Sequence, residues 1–209
     1  METILLTIFA FTLLYIGIAN RLTSFIRMLA IQGLLLFGIT FFKLTEINWF
    51  NLVMILLETI IFKTVLIPWF LNYVLKKNKI IRETEPFVSY FWSLILITGF
   101  IILSYIIAGY LGLDKSTKAD FMVAFASLLT GIYIIITRKK IITHLMGYMI
   151  LENGVFLLSL TIGAHQPMMV NLGILLDIFV SVLVLGLFMN KIGNTFEEMS
   201  IENLSNLKD

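Results

Sequence analysis

The chain of 209 residues is 59% hydrophobic and only 13% charged, with a formal net charge of +2. Soluble domains average about 25% charged and about 45–50% apolar residues, so this chain lacks the polar side chains to cover a water-facing surface. That excludes a soluble enzyme, a disordered chain and a nucleic-acid binder, and it points to an all-α integral membrane protein whose solvent is the lipid bilayer.

There is no cysteine, and the histidines are His144 and His165 alone. A disulfide framework, thiolate-held zinc and Cys-ligated iron–sulfur clusters are excluded, and two imidazoles are too few for the usual haem or copper core. The expectation is a chain with no cofactor and no metal of its own. Any redox chemistry would then lie in its partners.

A bilayer core of about 30 Å takes about 20 apolar residues per helix. The first such stretch spans 2–19 and opens METILLTIFAF, with an acid and no Lys or Arg ahead of the apolar run. That fits a retained span rather than a signal peptide. The second covers 24–42 and contains Gln32 and Gly33. The third, 48–75, carries Glu58, Thr59, Lys63 and Pro68. The fourth and fifth cover 87–112 and 120–137. The sixth, 141–163, starts after the cluster Arg138, Lys139, Lys140 and carries His144, Gly147, Glu152, Asn153 and Gly154. The seventh, 168–190, carries Asp177 and Ser181, and a polar, acidic tail follows.

With seven spans the loops alternate sides. One side collects Arg21, Arg27, Lys76, Lys77, Lys79, Arg82, Arg138, Lys139, Lys140, Lys191 and Lys208; the other holds Lys43, Lys115 and Lys118. The positive-inside rule then puts the N-terminus outside and the C-terminus in the cytoplasm. Trp49, Trp69 and Trp92 fall near span ends, where tryptophan anchors to the interface.

A weak internal repeat links ILLETIIFKTVL from Ile55 to ILLDIFVSVLVL from Ile174 and superposes Glu58 on Asp177. One register of the preceding spans puts Gln32 on Glu152; the next puts Gly33 on Gly154. The reading is two parallel three-helix repeats, 1–75 and 120–191, joined by a connecting segment 76–119 with the fourth helix, and a cytoplasmic tail 192–209. Chance similarity between Leu- and Ile-rich helices is the competing explanation.

Away from the span ends, the fully ionisable side chains inside the spans are Glu58, Lys63, Glu152 and Asp177. A charge at the bilayer centre costs about 2.5–3.5 kcal/mol on insertion scales, so such residues mark ion or proton pathways by default. In an α-helix, five residues turn through about 140°, so Glu58 and Lys63 are expected to point apart and to meet groups on other helices. Thr59 is expected to share the face of Lys63, and Ser181 that of Asp177. Burial raises a carboxyl pKa and a nearby lysine lowers it, which suits a proton relay. A buried acid–lysine pair can equally be a device that fixes helix register. Pro68 offers either a flexible point or a tolerated kink, and Gly147 and Gly154 favour close packing over unwinding. His144 is a candidate for proton entry, although an imidazole at a span end is more often an interface residue. His165 reads as a loop residue.

Taken together, GYMILENGVFLLSL (Gly147–Leu160), GILLDIFVSVLVLGLFMNKI (Gly173–Ile192) and ENLSNLKD (Glu202–Asp209) resemble the E component of hydrogenase-4. That is a membrane subunit of group 4 nickel–iron hydrogenase and formate-hydrogenlyase complexes. AIQGLLLF (Ala30–Phe37) and FKTVLIPWF (Phe62–Phe70) extend the resemblance over nearly the whole chain. More distantly, spans five to seven look like the K-type subunit of respiratory complex I and the C-type subunit of multisubunit Na⁺/H⁺ antiporters. The resemblance implies a subunit without catalytic residues in the membrane arm of a prokaryotic plasma-membrane complex. Its implied partners are antiporter-like subunits and a peripheral redox module. Glu152 and Asp177 take the positions of the middle- and last-helix carboxylates, and Glu58 is the first-half counterpart of Asp177. Gln32 departs from the pattern where an acid would be expected.

Overall fold

The computed structural model describes residues 1–43, 49–77 and 87–162. The described residues form helices and no strand. They are α1 (Glu2–Ile18), α2 (Leu22–Lys43), α3 (Trp49–Ile55), a π-helical segment (Leu56–Leu66), α4 (Ile67–Lys77), α5 (Tyr90–Tyr110), α6 (Lys115–Thr137) and α7 (Ile141–Ile162). α3, the π segment and α4 run on without a break, so the expected span 48–75 is one rod with a change of pitch in its middle.

Two helices end where the backbone leaves the helical region. Ala19 turns extended after α1, and Arg138 does the same after α6. Gly112, with φ of 64°, makes the left-handed turn between α5 and α6 that a side chain would resist. Helices occupy six of the seven expected stretches, with shifted ends. The largest shift is in α6, which begins at Lys115 rather than 120, so that Asp120 lies in its second turn instead of at its start. The seventh span, with Asp177 and Ser181, and also His165 and the tail, lie outside the described residues.

The helices alternate in direction. Lys43 at the end of α2 pairs with Glu2 at the start of α1 and with Asp120 near the start of α6. At the opposite end, Arg138 after α6 donates from Nη2 to the Gly17 carbonyl of α1 at 3.1 Å. Its guanidinium also lies 5.2 Å from the ring centre of Tyr90, which begins α5. The core draws on every rod: Phe9 and Leu13 of α1, Leu36 and Ile39 of α2, Leu71 of α4, Ile97 of α5, Ile134 of α6 and Met146 and Ile150 of α7.

The tightest contact is the α6–α7 hairpin. A Cβ on Gly131 would come within 2.6 Å of the Leu151 nitrogen, and one on Gly154 within 2.8 Å of the Leu128 nitrogen. The two backbones touch, as small residues permit when lipid supplies no hydrophobic drive between helices. The glycines around Glu152 therefore serve packing, as expected.

Among the described residues, four helices are long and apolar enough to cross a membrane: Leu22–Lys43, Leu56–Lys76, Tyr90–Tyr110 and Thr117–Thr137. α1 is a shorter apolar helix, and α7 runs for 22 residues. Much of the outer surface is apolar, with Phe11, Val65, Trp69, Phe91 and Ile136 exposed. Such a surface suits lipid.

Candidate functional site

The π segment settles the relation of Glu58 to Lys63. An α-helix bonds each N–H to the carbonyl four residues back, whereas a π-helix reaches five back. Here the Ile67 N–H bonds to the Phe62 carbonyl, and the Thr64 hydroxyl donates to the Thr59 carbonyl at 2.7 Å. Both spans are five residues. Residues five apart therefore stack, and Lys63 Nζ lies 3.4 Å from Glu58 Oε1. The expectation that these two side chains point apart rested on a 100° step and is corrected by the wider pitch. Thr59 is tied to its own helix instead, donating to the Ile55 carbonyl at 2.6 Å. Pro68, second residue of α4, follows directly on the π segment. Glu58 is 1% exposed and Lys63 5%, so the pair is sealed from bulk water.

Lys63 also faces α7. Its ammonium lies 4.8 Å from the ring centre of Phe156. Phe156 is one helical turn beyond Glu152, so both belong to the same face of α7. The face that carries Glu152, itself 4% exposed, is thus the one presented to the Glu58–Lys63 pair.

Asn153 is turned about 100° from Glu152 and meets α2 instead. Its Nδ2 donates to Gln32 Oε1 at 3.1 Å, and Gln32 Nε2 donates to Thr12 Oγ1 at 2.9 Å. The Thr12 hydroxyl in turn donates to the Phe9 carbonyl at 2.6 Å. The order of donors fixes the amide orientation, because a hydroxyl whose proton is committed to a carbonyl can only accept from Gln32. Gln32 is fully buried. Beside it, a Cβ on Gly33 would lie 2.7 Å from Thr64 Oγ1 and 2.9 Å from the Lys63 carbonyl carbon. That close approach brings the π segment against α2. Where the repeat led one to expect an acid, the chain places an amide that joins three helices.

Of the expected residues, the structure brings Glu58 and Lys63 together and sets them against the α7 face of Glu152. His144 stands apart. It is half-buried at the Arg138 end, with Nε2 2.6 Å from the Arg138 carbonyl oxygen, eight residues and about 12 Å of helix from Glu152. Asp177 lies outside the described residues.

Sequence reasoning missed a second charged cluster. Lys43 binds Asp120 Oδ2 closely and lies 3.4 Å from Glu2 Oε1. It also treated Arg138 purely as a topological charge, although that side chain is buried against α1. Asp120 escaped notice because it falls on the first residue of the expected span 120–137.

Residues 120–209 match the family model of NADH-ubiquinone/plastoquinone oxidoreductase chain 4L. The second half of the chain is chain 4L-like. Hydrogenase-4 component E of Escherichia coli strain K12 is 31% identical over 91 residues, which are 44% of this chain and 42% of that protein. The component E of Shigella flexneri matches to the same extent. The uncharacterized protein Rv0085 of Mycobacterium tuberculosis is 24% identical over 191 residues, 90% of this chain and 87% of its own length. No solved structure matches. The likeness to hydrogenase-4 component E and to a K-type subunit, read from the residues, is borne out, over less than half of the chain in the case of component E. Composition, helices and relatives together make this a membrane protein. The chain 4L-like half starts at Asp120 and includes α7 with Glu152 and Asn153.

Proposed function

We propose that the chain is a membrane-arm subunit of a hydrogenase-4-like or complex-I-like oxidoreductase complex in a prokaryotic plasma membrane. It relays protons or cations through buried carboxylates and so couples redox chemistry elsewhere to ion movement. The observation that carries this reading is the convergence of Glu58, Lys63 and the Glu152 face of α7 inside a bundle of membrane-length helices. Two buried acids and one ammonium in a low-dielectric interior can exchange a proton with little net charge left in lipid.

In this reading Glu152 and Asp177 carry the proton, and Glu58 and Lys63 set the charge state beside them. His144 is the entry group from the basic side. Antiporter-like subunits flank the chain, and a peripheral module holds the metal centres. The halves 1–75 and 120–191 are parallel repeats, with the segment 76–119 between them. The likeness to chain 4L and to hydrogenase-4 component E supports the assembly class.

A second reading is a subunit of a Na⁺/H⁺ antiporter complex, or a scaffold in the same membrane arm. The Glu58–Lys63 pair favours the scaffold, since both charges belong to one helix and can simply hold its pitch. Glu152→Gln in the assembled complex separates the two. Loss of proton translocation with the complex intact supports the relay. Normal translocation per turnover means a scaffold. Within the relay, Asp177→Asn is expected to impair coupling more than Glu58→Gln.

A further inference from the structure

The Glu2–Lys43–Asp120 cluster takes no part in the proposed relay, yet it is built like a site. Three helix ends converge on it: the first residue of α1, the last of α2 and the second turn of α6. Two carboxylates share one ammonium, so the cluster carries −2 + 1 = −1 when all three are ionised. Its members are graded in depth. The side chains of Glu2 and Lys43 are 32% and 21% exposed, while that of Asp120 is 4% exposed. Asp120 Oδ2 is taken by Lys43, but its buried Oδ1 accepts no hydrogen bond among the described residues. An ionised, buried oxygen with no donor is costly, and binding a proton removes the charge that makes it so. Beyond Glu2 and Lys43, the nearest described basic group on α6 is Lys118, and its ammonium is held 4.2 Å from the ring centre of Tyr105 on α5.

We propose that Glu2, Lys43 and Asp120 form a second proton-binding site, at the end of the bundle opposite His144, with Asp120 holding the proton. The proposal rests on the relay reading for its purpose but not for its chemistry. A proton from bulk water reaches the partly exposed Glu2 and passes to Asp120. The O–H bond on Glu2 breaks as the O–H bond on Asp120 forms, Glu2 returns to carboxylate, and the net uptake of one proton takes the cluster charge from −1 to 0. Lys43 lies eleven residues beyond Gln32 on α2, about 16 Å at 1.5 Å per residue. Leu36 and Ile39, both fully buried, fall between them on that helix. The site is thus a terminal station at the membrane boundary, set off from Glu152 by an apolar layer.

The test uses the full chain in lipid vesicles, with aspartate carboxyls labelled with carbon-13 and infrared difference spectra recorded from about pH 4 to about pH 9. The expected result is a carboxylic-acid band that grows on acidification, vanishes in Asp120→Asn and persists in Glu152→Gln. Lys43→Gln removes the cation that favours the carboxylate, so the midpoint of that band rises by about 1 pH unit or more. A spectrum with no Asp120 band at any pH, unchanged in Lys43→Gln, identifies a permanently ionised structural tie and overturns the proposal. If Asp120→Asn does not fold, the Lys43→Gln shift decides alone. Translocation by the assembled complex keeps the two readings distinct. A titrating Asp120 with unaltered translocation in Glu152→Gln defeats the relay and leaves the site standing. Abolished translocation in Glu152→Gln with a silent Asp120 does the reverse.

Discussion

The π segment and α7 each bury an acid in the same interior, and they solve its charge differently. In the π segment the acid finds its cation on its own helix, five residues along. In α7 there is no Lys or Arg to find, and the face of Glu152 is turned toward the lysine of the neighbouring rod. Its neighbour Asn153 locks α7 to α2 through Gln32. One helix carries a self-contained ion pair. The other carries an acid whose surroundings are supplied by other helices. Helix pitch makes the difference: the same Glu-to-Lys spacing on an α-helix would leave both charges to be matched elsewhere.

Removing the cation from the self-contained pair should do the most damage. Lys63→Met leaves Glu58 without its ion-pair partner, and a loss of about 3–5 kcal/mol is expected, read as a lowered unfolding midpoint in detergent. The double variant Glu58→Gln with Lys63→Met should recover most of that loss. A double variant no better than the single would break the view of a closed pair.

The α7 side depends more on packing. Gly154→Leu drives a side chain into the α6 backbone, and about 1–3 kcal/mol or more is expected to be lost, with lower yield of folded chain. A fully tolerated leucine would mean that the hairpin is looser than described. Next comes the amide bridge. Asn153→Leu strands a buried Gln32 acceptor and should cost about 1–3 kcal/mol. Gln32→Leu should cost a similar amount, and the double variant less than the sum, because the two residues share one bond. Additive losses would show that they act separately. The smallest effect is expected for Phe156→Leu, which removes the aromatic face under Lys63 and costs about 0.5–2 kcal/mol. A larger loss than for Lys63→Met would reverse the order of importance of the two helices.

Much of this was legible in the residues. Apolar runs located six of the described rods, and the alternation of direction agrees with the loops that join them. Glu58, Lys63 and Glu152 were identified as buried from their chemistry alone, since lipid makes any charge conspicuous. The pairing of Glu58 with Lys63 was not legible, because a uniform α-helical period points residues five apart in different directions. The spacing itself was the missed signal, as an acid and a lysine five apart in an apolar rod can meet only if the pitch widens. The Gln32–Asn153 bond was invisible because it joins residues 121 positions apart and neither carries a charge. Asp120 was hidden by a boundary drawn a few residues late.

The bridge from Asn153 to Gln32 has a consequence for biogenesis. At about 5–20 residues per second, a ribosome takes about 6–24 s to travel from one partner to the other. During that interval the first hairpin waits in the bilayer with an amide whose acceptor has met no donor on α7. Arg138 seeks its carbonyl on Gly17 across the same interval of 121 residues. The Arg138 contact can close once α6 is inserted, and the Asn153–Gln32 bond only once α7 is, so the two act as successive late checkpoints, and a chain stalled before α7 presents the quality-control machinery with an open polar seam.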